Sequence, residues 1–225
     1  MKIPSRRLIT LLAVVVAGLS PAWIAETRLL SRWAFGGENP GANSVEGAPQ
    51  ARVDGATTAK GRPEEGGGDA LAFEDWSVRN YLKPDPRQAS RVVVEPAGDA
   101  TALFPAIPFT VSAWIYPTAD PVYYGGIIEK GRGYGSSYRL LLLRGLKLQA
   151  SLGPDAVVRS PAPLTLNEWH EVGFQAQAEA LVLLVDGKEV ARTPIGPSSR
   201  KELPDPVLIG ERFTGRIDEV SIRAD

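Results

Sequence analysis

The chain has 225 residues, a formal net charge of −1 and no cysteine. That excludes disulfides, thiolate catalysis and cysteine-ligated zinc, and it leaves no global positive field to draw the protein onto nucleic acid or an acidic membrane surface. Apolar residues make up 44% of the sequence, enough for a core without covalent staples, and the 23 glycines and 19 prolines suit short strands joined by turns better than a helical bundle.

Residues 1–25 read as an export signal. Lys2, Arg6 and Arg7 form a positive start, residues 8–19 are an uncharged apolar run, and Ser20 and Ala22 are the small residues that a signal peptidase inspects. The expected cut follows Ala22, so that residues 1–22 are the signal peptide. The alternative is an uncleaved anchor, since residues 8–25 give about 18 apolar-rich positions, the short end for a spanning helix. Either way the remainder is exported, to the periplasm, the cell surface or the medium, and any membrane contact runs through this segment alone. Residues 38–68 follow, rich in glycine, proline and small polar side chains. By composition they are a linker or a long surface loop, because both are solvated backbone with little to bury.

From Ala70 the pattern is strand after strand. ALAF at 70–73 and RVVVE at 91–95 are short apolar runs, and the segment between them carries Trp76, Tyr81 and two prolines, which suggests an ordered surface excursion. FTVSAWIY at 109–116 alternates, with Phe109, Val111 and Ala113 on one face and Trp114 and Tyr116 on the other. GGIIEK at 125–130, a glycine-rich turn and YRLLLL at 138–143 come next; then, over 146–152, Leu146, Leu148, Ala150 and Leu152 alternate with Lys147, Gln149 and Ser151 as a half-buried strand does. Residues 164–192 carry the clearest local signal. Trp169, Val172 and Phe174 precede an apolar run at 180–185, and Asp186-Gly187 then predicts a two-residue type I′ hairpin, because both turn positions need positive φ. The closing run, GRIDEVSIR at 215–223, does not keep a single alternation and is expected to bend or to be covered on both sides. More than ten short strands with frequent turns and no convincing amphipathic helix predict an all-β fold of two packed antiparallel sheets.

The chain resembles the laminin-G-like, concanavalin A-like jelly-roll family. The residues that carry this are FTVSAWIYP at 109–117, IIEKG at 127–131, NEWHEV at 167–172, LLVDGKEV at 183–190 and GRIDEVSI at 215–222, in the family's order. RWAF at 32–35 resembles its opening strand and GDALAF at 68–73 its second. The resemblance therefore implies one jelly-roll sandwich over residues 29–225, with 38–68 as a long internal loop. It implies sugar binding, protein adhesion or a structural role alike, since folds of this kind host many functions. Family members often hold calcium near the start of the domain. Asn43 and Asp218 are the residues here that could contribute oxygens, but hard cations take about six to eight oxygens, several of them charged, and that set is not assembled in this sequence. No cofactor other than calcium is implied.

Candidate chemistry is sparse. His170 is the only histidine, so no histidine metal cluster or thiol–imidazole pair can be built, and a structural role is expected. A glycoside hydrolase needs two carboxylates about 5–9.5 Å apart; Glu129 and Glu171 are isolated in sequence, and Asp218 and Glu219, being adjacent, point to opposite faces of a regular strand. The run from Glu129 to Gly135 resembles a phosphate loop or an RNA-recognition strand only superficially, because a strand and not a helix follows it. Tyr123, Tyr124, Arg132, Tyr134 and Tyr138 around this glycine-rich hairpin are the candidate ligand site, an aromatic and cationic rim of the kind that packs on apolar sugar faces; alternatively these tyrosines cover the end of the sandwich. The expected function is that of an exported, non-catalytic binding or adhesion module for a carbohydrate or cell-envelope partner, such as a cell-surface protein. The alternatives are a structural protein–protein domain and, less favoured, a hydrolase.

Overall fold

The computed structural model describes residues 27–63, 68–74, 90–97, 100–131, 136–196, 198–199 and 202–225. The expected signal, the excursion around Trp76 and Tyr81, and two of the rim candidates, Arg132 and Tyr134, lie outside the described residues.

Two antiparallel sheets pack face to face. The eight-stranded sheet runs β13 (Lys188–Pro194), β12 (Ala180–Val185), β11 (His170–Ala176), β6 (Phe109–Pro117), β15 (Gly215–Ala224), β4 (Asp69–Phe73) and β3 (Thr57–Lys60). Its eighth member, β1 (Arg28–Trp33), pairs with the second half of β15, beyond the stretch that β4 occupies. The seven-stranded sheet runs β10 (Ala156–Arg159), β9 (Lys147–Leu152), β8 (Tyr138–Leu143), β7 (Tyr124–Lys130), β14 (Val207–Ile209), β5 (Arg91–Val94) and β2 (Arg52–Asp54). The stretch 38–68, expected as one long loop, thus carries two short strands, and they join opposite sheets. Neither contains a large apolar run, which is why composition did not mark them: both lie at sheet edges, where exposure is tolerated.

The core lies between the sheets and follows the alternation read in the sequence. From β6, Phe109, Val111, Ala113 and Ile115 are fully buried, and they face Tyr138, Leu140, Leu142, Leu148 and Leu152 of the other layer within one apolar cluster. Phe109, Phe174 and Tyr138 form a ring cluster with centroids 5.7–6.3 Å apart, the offset and edge-on range that aromatic pairs prefer. Asp186 and Gly187 sit at φ 50° and 72°, and Val185 pairs Lys188, as the Asp-Gly hairpin requires. At Gly210, just past β14, the ring of Phe73 occupies the place where a Cβ would stand, 2.1 Å from Cε1, so only glycine fits there.

The pairing of β15 with β6 is interrupted once. β15 pairs β6 at Asp218↔Trp114 and again at Ser221↔Ser112, so one extra residue stands between those pairs. The residue in the left-handed region is Glu219, at φ 51°. A β-bulge of this kind resets the alternation: Ile217 faces the core, and so do Val220 and Ile222. Asp218 and Glu219 consequently share the outer face of the sheet. The expectation that they point to opposite faces holds for a regular strand and fails at a bulge.

Candidate functional site

The bulge borders a groove on the outer face of the eight-stranded sheet. Four strands build it, each giving its outward residues: Glu171 from β11, Ser112 and Trp114 from β6, Glu219, Ser221 and Arg223 from β15, and Arg32 from β1. Its volume is about 460 Å³, within the size range of small-molecule sites. The strand register orders these side chains into rows. Glu171, Trp114 and Asp218 stand side by side, and Ser112, Ser221 and Arg32 form the next row. The two serine hydroxyls are hydrogen-bonded at 2.9 Å and make a floor of small side chains.

The walls are held rigidly. Glu219 accepts two hydrogen bonds from Arg32, from Nε at 2.6 Å and from Nη2 at 2.8 Å, a fork-to-fork geometry across two strands. Asp218 Oδ1 accepts the backbone N–H of Glu219 at 2.8 Å, which fixes the bulge, while its Oδ2 lies 3.8 Å from Arg62 Nε. Arg62, which follows β3, is nearly buried and lies over the Trp114 ring at 4.2 Å from the centroid, an arrangement favoured by the ring quadrupole. Farther along the same face Arg216 covers Tyr116 at 4.9 Å, and Trp169 contacts Tyr116 with centroids 5.5 Å apart. The outer face therefore carries a band of aromatic rings and guanidinium groups. Glu171 is positioned from behind, because its backbone N–H donates to Asp186 Oδ1. His170 is buried beside it, its Nδ1 3.2 Å from Asp186 Oδ2 and its Nε2 3.3 Å from the carbonyl of Thr165. That is the structural role expected of it.

The rim candidates separate. Tyr123 is exposed, with 55% of its surface open. Tyr124 is half-buried, its ring flanked by Arg139 at 5.1 Å and Arg212 at 5.2 Å. This is an aromatic and cationic cluster, made with different arginines from the one expected. Burial, and then the nearby Glu129 carboxylate, push the Tyr124 phenol up from its ordinary value. Glu129 is itself buried, accepts a hydrogen bond from Arg139 at 2.7 Å, and has its carboxyl pushed up by burial against the opposing pull of that arginine. Tyr138 does not belong to the rim: it is fully buried, and its hydroxyl donates to the carbonyl of Leu103 at 3.0 Å. Strand alternation turns it inward, with Leu140 and Leu142.

Asn43 and Asp218 have their oxygens engaged elsewhere. Asn43 Oδ1 accepts the backbone N–H groups of Arg32 at 3.1 Å and Val45 at 3.0 Å, and its Nδ2 donates to the carbonyl of Pro49. Together with the Ser44 N–H bond to the Arg32 carbonyl, this covers the open edge of β1. Among the described residues no group of three or more His, Asp and Glu side chains is arranged to hold a metal ion.

The groove itself was missed in the sequence, although its signals were present. The outward aromatics of β6 were legible. The bulge was written in the spacing of Ile217, Val220 and Ile222, which breaks period two by one residue.

Residues 71–224 match the family model described as the concanavalin A-like lectin/glucanases superfamily. No curated protein sequence matches the chain. Among solved structures, the chain is similar to domain 4 of AbnA, a GH43 extracellular arabinanase from Geobacillus stearothermophilus in complex with arabinotriose, at 13% identity and a TM-score of 0.62, covering 88% of this chain and 93% of that one. It is similar to the binding domain of Paraclostridial Mosquitocidal Protein 1 at 14% identity and a TM-score of 0.62, covering 87% and 48%. The binding domain of botulinum neurotoxin DC, in complex with SialylT, gives 12% identity, a TM-score of 0.62, and coverage of 87% and 47%. The chain thus spans about half the length of those toxin domains. At these identities the likeness is one of fold.

Proposed function

The chain belongs to the concanavalin A-like lectin/glucanases superfamily, and from that premise we propose that it is an exported, non-catalytic module that binds carbohydrate in the groove on the outer face of its eight-stranded sheet. The observation that carries this reading is the groove's composition: hydroxyls on the floor, ion-paired arginines and carboxylates on the walls, and an aromatic band running along the same face. Such a surface offers fixed donors and acceptors to a polyol, and rings against which the apolar side of a sugar can pack. Two of the groove's acids are engaged, which among the described residues leaves Glu171 alone and supports binding over hydrolysis, a reaction that takes a pair of carboxylates. Glu219 is held by Arg32 and Asp218 by the Glu219 amide, so neither is poised as a nucleophile or a proton donor. Export is supported by the amino-terminal sequence, and the similarity to a domain of an extracellular arabinanase agrees with a carbohydrate partner.

The test is a glycan-array screen of the protein followed by calorimetry on any hit, comparing Trp114→Ala with Tyr123→Ala. Binding that Trp114→Ala weakens about tenfold or more and Tyr123→Ala leaves unchanged is the expected result. The reverse pattern would move the site to the tyrosines near β7. A blank array would end the carbohydrate reading and turn attention to protein partners on the same face.

A further inference from the structure

The charges around the groove are mostly spent on one another. Arg32 is paired with Glu219, and Arg62 lies against Asp218. Two charged side chains that line the groove remain, Arg223 and Glu171, and neither has an ion pair or side-chain hydrogen bond among the described residues. They stand at opposite corners. Glu171 is level with Trp114, and Arg223 is level with Thr110, four residues along β6 and two strands across. At about 3.4 Å per residue and about 4.8 Å per strand, their Cα atoms are about 17 Å apart, with the serine floor between them.

We infer that the ligand is an acidic saccharide whose carboxylate is held by Arg223, with its hydroxyl-bearing end directed to Glu171. This rests on the carbohydrate reading of the groove and adds the chemistry of the ligand and its direction. An exposed guanidinium with its fork open is matched by a planar carboxylate, which it can bind through two parallel hydrogen bonds. Glu171 can only accept when ionised, so it takes sugar hydroxyls and repels an acid. The two ends therefore reject the inverted orientation, and they disfavour a ligand acidic along its whole length, such as a nucleic acid strand. A small anion cannot bridge the two corners, whereas a short chain of sugars can. The intervening Ser112 and Ser221 hydroxyls suit such a ligand, since each can donate or accept.

The experiment compares a panel of neutral oligosaccharides with their uronic-acid and sialic-acid counterparts, binding to the full chain at rising sodium chloride. The carboxylated forms should bind about tenfold or more tightly than the neutral ones, with a preference that shrinks as salt screens it. Arg223→Ala should abolish that preference, bringing affinity for the carboxylated forms down to that for the neutral ones, with the thermal midpoint unchanged. Arg223→Lys should restore only part of it, because the charge returns without the fork. Equal binding of neutral and acidic forms would overturn this inference and leave the carbohydrate reading standing. A preference that survives Arg223→Ala would overturn the assignment to Arg223. Absence of binding to every saccharide would overturn both readings.

Discussion

Glu219 occupies a left-handed backbone position, at φ 51°, that a side chain with a Cβ adopts only at a cost. What it gains there is a carboxylate aimed from β15 at Arg32 of the neighbouring β1. The two effects can be separated. Glu219→Ala removes the ion pair and keeps the strain, whereas Glu219→Gly removes both. The glycine variant should be the more stable of the two by about 1 kcal/mol in urea unfolding, and equal stability would show that the bulge does not hold this conformation in solution. Tyr138 offers the complementary case. As a tyrosine beside a glycine-rich turn it looked like a surface aromatic, yet its hydroxyl is buried against the Leu103 carbonyl. Tyr138→Phe should cost about 1–2 kcal/mol by leaving that carbonyl unpaired, and it should not change saccharide binding. Residue type was legible in the sequence in both cases. Facing was not, because it depends on where a strand begins and whether it slips by one residue.

At the scale of strands and turns, the sequence was read well wherever one local rule governs. The Asp186-Gly187 hairpin and the alternation of β6 follow from positive-φ chemistry and from period two, and both are present as expected. The reading failed where pairing across the sheet decides. β2 takes its place from β5, which lies far along the chain, and β3 from β4, the strand that follows it; neither pairing is written in the composition of β2 or β3 themselves. The two kinds of constraint predict different costs at two glycines. At Gly187 a Cβ would meet nothing within 4 Å, so Gly187→Ala should cost about 1 kcal/mol, the price of the left-handed turn alone. At Gly210 the backbone is also left-handed, at φ 77°, but the added methyl would overlap the Phe73 ring. Gly210→Ala should therefore lose about 2–4 kcal/mol, strain added to overpacking. Denaturant midpoints that place the two variants together would mean that Phe73 can move aside, and that β4 and the turn after β14 are less tightly joined than they look.

For the molecule as a whole, the groove and the Glu129 cluster lie on opposite outer faces, since Glu129 pairs in register with Arg139 of the seven-stranded sheet. This gives a stability signal that is independent of ligand binding. Burial raises the Glu129 carboxyl above its ordinary value of 4.5, and the Arg139 guanidinium offsets that shift only in part. Above pH 4.5 the unfolded chain gives up this proton before the folded chain does, so the folded state binds more protons and stability falls as pH rises. The contribution is complete below pH 4.5 and is lost as pH passes through the raised folded value. Lys130, the next residue, acts at the alkaline end with the opposite sign. Burial lowers its ammonium from 10.5 while Nζ donates to the carbonyls of Leu203 and Asp205, so on its account stability rises with pH toward that value. Glu129→Gln keeps the side-chain shape and removes the titration. Thermal midpoints of this variant should vary less than those of the parent between acid and neutral pH, and saccharide affinity should not change with the substitution. An unchanged pH slope would mean that water or a shift of Arg139 satisfies the carboxylate, and that the face opposite the groove is more open than its packing indicates.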